Sequence, residues 1–458
     1  YKMLSYFARV NYTLMDRYLF EVNMRADASS RFHKDHRWGY FPSFSAGWRM
    51  SEESFMKDIE WINNLKIRAS YGTLGNINNV GNYDYFQNYS SGNHYSFSDS
   101  PVIGIGESKP ANETLGWEKV ALTDIGLDFD IFNGLLGVTA DYYIKNTSDI
   151  LLGYNVPTET GITAAPSQNI GKVKNTGFEL ALNHRNKIGA VNYSIGANIA
   201  TNKNKITNLG GSDNIIQTSS YIVKYILKKG ESIGSFYGFK TDGLYTQADI
   251  DAGHYYTLSG VVPNAGDIKF VPQRDIEYKQ EITDEDRTIL GKDVPDFTYG
   301  VNLSLQYKGF EFSMFGQGIS GTKVAFDVYG VHPFYHGQDS PRKYHLKRWT
   351  EENPNPHAAY PRIYSASSVH TTYNRNFSDY HLFDSDYFRF KTLSLGYTVP
   401  SATVKNWGLQ SLKVYVTGEN LFTVRADKKM EDFDPETAGG VIYTLGTKSV
   451  AFGVNISF

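Results

Sequence analysis

Apolar and polar residues alternate one by one along most of this 458-residue chain. In the last segment Val450, Phe452, Val454, Ile456 and Phe458 share one parity, and Ala451, Gly453, Asn455 and Ser457 the other. Phe297, Tyr299, Val301, Leu303, Leu305 and Tyr307 oppose Thr298, Gly300, Asn302, Ser304 and Gln306 in the same way, and Leu412, Val414 and Val416 oppose Lys413, Tyr415 and Glu419. Side chains alternate across a strand, so each segment predicts a strand with one greasy and one polar face. About thirteen such strands are predicted, near 4–14, 17–27, 39–50, 64–74, 119–132, 135–147, 174–185, 190–203, 296–307, 309–319, 386–399, 411–423 and 448–458. Most match the 9–11 tilted residues that cross a bilayer.

The connections sort by length. Tight turns fall at Leu14-Met15-Asp16, Phe132-Asn133-Gly134, Arg185 to Gly189 and Lys308-Gly309, with modest ones at Ser51 to Asn63 and Pro400 to Gln410. Between them lie longer links: 26–39, 75–118, 148–173, 204–295, 320–385 and 424–447. Strict alternation of short and long links is the layout of an outer-membrane barrel, with tight periplasmic turns and long extracellular loops. The fold class expected is all-β, a transmembrane antiparallel β-barrel whose carboxyl terminus is periplasmic. Tyr12, Tyr18, Phe20, Tyr307, Phe310, Trp407 and Phe458 sit where alternation meets turns, as interfacial girdle rings do. Polar positions such as Lys413, Glu419, Asn302 and Gln306 are expected to face the lumen, and Val414 and Val454 lipid.

Composition alone suggests an ordinary soluble protein: net charge -3, 20% charged residues and a mean hydropathy of -0.40. No run of 18 or more apolar residues exists, which excludes a spanning helix and leaves a barrel open. Aromatics reach 15%, led by 34 Tyr and 28 Phe. Cysteine is absent, removing disulfides and thiol chemistry. Near-neutral charge argues against a nucleic-acid partner. An unclosed sheet in lipid leaves unpaired amides at its edges, and an odd strand count beginning directly at Tyr1 leads us to expect further strands upstream.

Several segments carry a resemblance. Residues 25–49 read RADASSRFHKDHRWGYFPSFSAGWR, with His33 where a Gly is usual; 267–270 read DIKF, 284–291 DEDRTILG, and 295–318 PDFTYGVNLSLQYKGFEFSMFGQG. Then come RWT at 348–350, NP at 353–354, YPR at 360–362, YFRFKTLSLGYTVP at 387–400 and VYVTGENLF at 414–422. Together these resemble the SusC/RagA family of TonB-dependent transporters of the Bacteroidetes outer membrane. The resemblance implies a barrel of about 22 strands closed by a plug domain. This chain would then be the later part of the wall, residues 1–458, without the plug. It also implies a SusD-like lipoprotein lid, energy from a TonB-ExbB-ExbD system acting through the plug, and oligosaccharide as the imported substrate. Oligopeptide uptake of the RagA type and a passive porin are the alternatives, and a surface adhesin is a third class.

No catalytic set stands out, so an enzyme is not expected, and no cofactor is implied. The family often carries a calcium-like D-x-N-x-D-G run after G-D-I-K-F; here Val271-Pro272-Gln273-Arg274-Asp275-Ile276-Glu277 breaks it, so no calcium is expected there. His332, His336 and His345 share one link without a metal-ligand spacing, and no metal is expected. Exposed loop rings are the candidate substrate- or lid-facing groups: Tyr83 and Tyr85 in one link, Phe334, Tyr335, Tyr344 and Trp349 in another. Such rings stack on sugars, fill protein interfaces or pack a loop on itself. Gly234-Ser235-Phe236-Tyr237-Gly238 reads either as a segment folding over the pore or as an ordinary packed loop.

Overall fold

The computed structural model describes residues 1–97, 100–153, 167–218, 222–325, 332–334, 341–436 and 446–458. The chain forms two compact units: Tyr1–His184 with Thr201–Asp213, and Arg185–Ala200 with Asn214–Phe458. Every predicted strand is present.

The first unit is an antiparallel meander of β1 (Met3–Leu14), β2 (Tyr18–Ser29), β3 (Trp38–Arg49), β4 (Ile62–Asn76), β5 (Glu118–Ile131), β6 (Leu136–Gly153) and β7 (Ser167–Ile188), each paired with the next. The register aligns parity across strands: Val10 faces Val22, Val22 faces Phe44, Phe44 faces Tyr71. These residues are exposed, with Tyr6, Ile125, Tyr142 and Phe178 on the same face. A contiguous apolar surface of this kind marks contact with lipid or protein rather than water. On the opposite face, charges pair across strands, Arg9 with Glu21 and Arg68 with Asp128 and Asp141, both at 2.9 Å, and along β2, Arg25 with Asp27 at 2.6 Å.

The second unit holds β8 (Val191–Thr201), β9 (Phe297–Tyr307), β10 (Phe310–Ser320), β11 (Tyr387–Thr398), β12 (Ser411–Arg425) and β13 (Ser449–Ser457). The β9–β10 hairpin turns on Lys308 and Gly309, at φ 45° and 88°. Two successive positive-φ residues make the turn whose twist matches paired strands. The register places Phe312, Leu395 and Val416 in line, and Val414 opposite Val454, so the predicted greasy parity forms one exposed face. On the other face Tyr415 lies over Gly453, where a Cβ would come 2.1 Å from the ring. The glycine leaves room for the ring to cover bare backbone.

The long links contain paired strands of their own. β6 and β7 continue as a paired ribbon well past the predicted limits, to Gly153 and from Ser167, with a register shift beside Asp149. Asn146, Thr147, Lys172 and Lys174 interrupt the apolar alternation there, so the signal stops although the pairing does not. Link 75–118 contains a hairpin of Asn88–Phe97 and Ser100–Lys109. Link 204–295 contains a sheet of Asn214–Thr218, Lys224–Lys228, Ser235–Gly238 and Thr288–Lys292, and a Lys240–Leu244/Ile268–Val271 pair. Phe236, inside that sheet, is 1% exposed, so the Gly234 to Gly238 stretch takes the ordinary packed reading.

Candidate functional site

The links of the second unit bury a core of their own, remote from the strand faces. Phe239, Leu244, Leu258, Ile268, Phe270, Ile282, Trp349 and Tyr373 pack together. Tyr245, buried beside them, has its phenol pushed up to about 12 by burial. The polar centre is Asp267, fully buried, which accepts from Asn374 Nδ2 at 2.8 Å and lies 2.8 Å from His370 Nδ1; Asn374 in turn accepts from the Ile268 amide. These partners lie more than 100 residues apart in sequence, so links 204–295 and 320–385 form one packed body. Burying a carboxylate is costly unless it is fully hydrogen-bonded, and here the bonds tie the two links together.

Where the calcium-like pattern is broken, the cation facing buried Asp286 is Arg274. Its Nη2 and Nε donate to the two carboxylate oxygens at 2.7 and 3.1 Å, and the amides of Gln273, Arg274 and Thr283 add three more bonds. Burial would raise the Asp286 carboxyl, but these bonds outweigh it and hold it down at about 2. In link 320–385, His332 Nδ1 lies 3.2 Å from Tyr360 hydroxyl, and His381 Nδ1 lies 3.0 Å from Ser378 hydroxyl. Burial depresses both imidazoles, His381 to about 4. His345 also packs on Tyr360, ring to ring at 4.6 Å. Among the described residues no group of His, Asp or Glu has metal-binding geometry; His336 lies outside them.

The predicted loop rings divide. Tyr83 and Phe334 are exposed at 66% and 45%, both at positive φ. Tyr85 is buried with Phe32, Phe41, Leu115 and Trp117 in the first unit, its ring 4.3 Å from that of Phe86. Trp349 is 5% exposed, with the Arg362 guanidinium over its ring. Tyr85 and Trp349 thus pack into cores shared between their own link and other segments, Tyr85 with Phe32 and Phe41, Trp349 with Ile268 and Phe270. Tyr344 belongs to the 3-10 turn Lys343–Lys347, its side chain outside the description, and Tyr335 lies outside the described residues.

Sequence reasoning placed a polar face by parity but missed the cavities and ion-pair clusters along it. In the first unit, Glu21, Asn23, Arg25 and Asp27, together with Phe41, Leu74 and Leu122, line an open cavity of about 450 Å3. In the second, Asp293, Gln317, Lys323, Tyr387 and Glu436 line another of about 500 Å3. Burial raises the Asp293 carboxyl above its usual range. Arg389, 4% exposed, pairs with Asp434 at 2.6 Å and Glu436 at 2.8 Å; on the same polar face Lys413 pairs with Glu311. Lys413 had been placed on that face by parity alone. The residues gathered at the cavity come from four separate stretches, and no periodic signal links them.

An inward polar face with paired charges, an outward apolar face and long packed links are features of a solute-passing wall. The family model described as TonB dependent receptor-like, beta-barrel, matches residues 1–421. TonB-dependent receptor P3 of Formosa agariphila is 32% identical over 92% of this chain, and TonB-dependent receptor SusC of Bacteroides thetaiotaomicron 29% identical over 99%. The chain spans 41% and 43% of those relatives. A solved structure of the RagAB peptide transporter superposes on all of this chain, and on 47% of its own, with a TM-score of 0.78 at 25% identity. The chain therefore belongs to the TonB-dependent receptor β-barrel family and has that family's antiparallel barrel fold.

Proposed function

We propose that this chain is the carboxy-terminal part of the barrel wall of a SusC-like importer. The importer takes oligosaccharides across the outer membrane with a SusD-like lipoprotein and draws energy from TonB-ExbB-ExbD. The observation that carries this reading is the division of each strand series into an exposed apolar face and an ion-paired polar face. Hydrocarbon requires the first, and a hydrated path for polar solutes requires the second. The long links 75–118, 148–173, 204–295, 320–385 and 424–447 are then extracellular and the carboxyl terminus periplasmic. Exposed Tyr83 and Phe334 are rings available to meet substrate or lipoprotein, beside other exposed link rings such as Tyr89 and Tyr95; Tyr335 and Tyr344 are further candidates of the same kind.

The RagAB likeness, which covers the whole chain, supports oligopeptide import as a second reading. Uptake by cells carrying the full transporter, with and without the TonB partner, tests the first. Loss of uptake on removing TonB is expected, whereas continued flux means a passive porin. Titrating the purified complex with oligosaccharides and oligopeptides then separates the two importers by which ligand binds.

A further inference from the structure

In β11, Lys391 is an extra residue: Phe315 faces Thr392 and Gly316 faces Phe390, so Lys391 has no rung on β10. Such a bulge re-aims a side chain, and bulges gather beside functional sites. Here it brings Lys391 and Arg389 to one carboxylate. Arg389 Nη1 donates to Glu436 Oε2 at 2.8 Å, and Lys391 Nζ donates to the same oxygen. Tyr387 hydroxyl and Gln317 Nε2 donate to Oε1 at 2.9 and 3.3 Å. Arg389 Nε donates to Thr423 Oγ1 at 2.9 Å and Nη2 to Asp434, whose Oδ1 also accepts from the Glu436 amide at 3.0 Å.

Four side chains from β10 and β11 therefore converge on the carboxylate of a residue from the β12–β13 link. A structural tie would account for one ion pair. Two further facts are independent of it. Glu436 itself borders the 500 Å3 cavity rather than lying sealed in the wall, and Lys323, in the same lining, makes no ion pair within 4 Å among the described residues, its charge reaching Asp379. Asp293, in the same lining, has its carboxyl raised above the usual range by burial. The cavity lining carries Lys323, Asp293 and Glu436, and the Arg389 and Lys391 cations lie behind Glu436, bonded to its carboxylate rather than bordering the cavity themselves.

We propose that Arg389, Lys391 and Lys323 form a carboxylate-binding subsite for acidic, uronate-bearing oligosaccharides, and that Glu436 is an internal occupant which such a substrate displaces. A planar guanidinium with an adjacent ammonium suits a sugar carboxylate. The displaced Asp434–Glu436 segment regains water, and the substrate carboxylate takes over the Arg389 and Lys391 pairs that Glu436 gives up. This rests on the oligosaccharide reading above and narrows its substrate class.

The test uses the complete transporter with its lipoprotein, purified in detergent and titrated calorimetrically with tetragalacturonate, its carboxyl-reduced neutral analogue, and a tetraglutamate peptide. Glu436→Gln removes the competing charge and is expected to tighten tetragalacturonate roughly tenfold. Lys391→Ala is expected to weaken it about tenfold, and both leave the neutral analogue within twofold. Heat-modifiable electrophoretic mobility confirms that each variant is a folded barrel. An unchanged ratio of acidic to neutral affinity in both variants overturns the proposal and leaves Glu436 as a structural tie. Binding of the peptide and neither sugar also overturns it, in favour of peptide import. Failure of the energised-import reading shows separately, as TonB-independent uptake with these affinity changes intact.

Discussion

Replacing Arg274 by Ala removes the guanidinium from Asp286, whose side chain is 0% exposed while that of Arg274 is 35% exposed. Two charge-assisted bonds are lost, each worth roughly 1.5–3 kcal/mol net. Breaking a fully buried pair costs about 3–5 kcal/mol. The arginine is about one-third solvated, which screens its contribution, and three backbone amides remain on the carboxylate. The expected loss is therefore about 2–3 kcal/mol, felt locally by the packed links rather than by the membrane strands. Hydrogen exchange on the detergent-purified transporter reads this directly. Amides of Ile268–Val271 and Thr288–Lys292 should lose roughly 30- to 150-fold of protection, while those of β12 stay unchanged. Arg274→Lys keeps the charge without the bidentate geometry and should fall between. The variant should also lose acid sensitivity. With the carboxyl held at about 2 in the folded protein and 3.8 as its ordinary value, the stabilisation is fully present above pH 4 and disappears as pH falls toward 2. Protection unchanged within threefold in Arg274→Ala refutes the idea that this pair fastens the link.

Three further outcomes follow from the same structure. Val454→Lys places a charge on the apolar face opposite Val414 and should cost about 2–4 kcal/mol at mid-bilayer; folded-barrel yield measures it, and a normal yield reverses the face assignment. Trp349→Ala should cost the link core about 3–5 kcal/mol, read as proteolytic sensitivity of residues 341–381, whereas Tyr83→Ala should leave stability within about 0.5 kcal/mol. His381, neutral and held at about 4 by burial against an ordinary 6.5, binds its proton more readily unfolded. The link body should therefore weaken as pH falls from about 6.5 to 4, by on the order of 3 kcal/mol, and His381→Phe should flatten that slope in a pH series of hydrogen exchange.

The sequence by itself determined the membrane strands and the face each presents. Their pattern is local: a period of two, with Asn, Gly or Lys at positive-φ turns, is imposed residue by residue by lipid on one side and water on the other. That is why Val414 and Val454, forty residues apart, could be placed on one face, and Lys413 on the other, before any pairing was known. The links obey no such period. Their order comes from contacts more than 100 residues apart, as between Asp267 and Asn374, and from segments as short as Thr257–Leu258 pairing with Glu281–Ile282. Aromatic residues in these links look alike in sequence whether exposed, as Tyr83 is, or enclosed, as Trp349 is, because the surrounding packing decides. The Arg389–Lys391 cluster adds a bulge, a one-residue break in the period that shows only once β11 is set against β10. Its counter-ions arrive from the last link. Tertiary structure alone decided that meeting, because a free carboxylate in a loop has no local reason to seek one particular pair of cations.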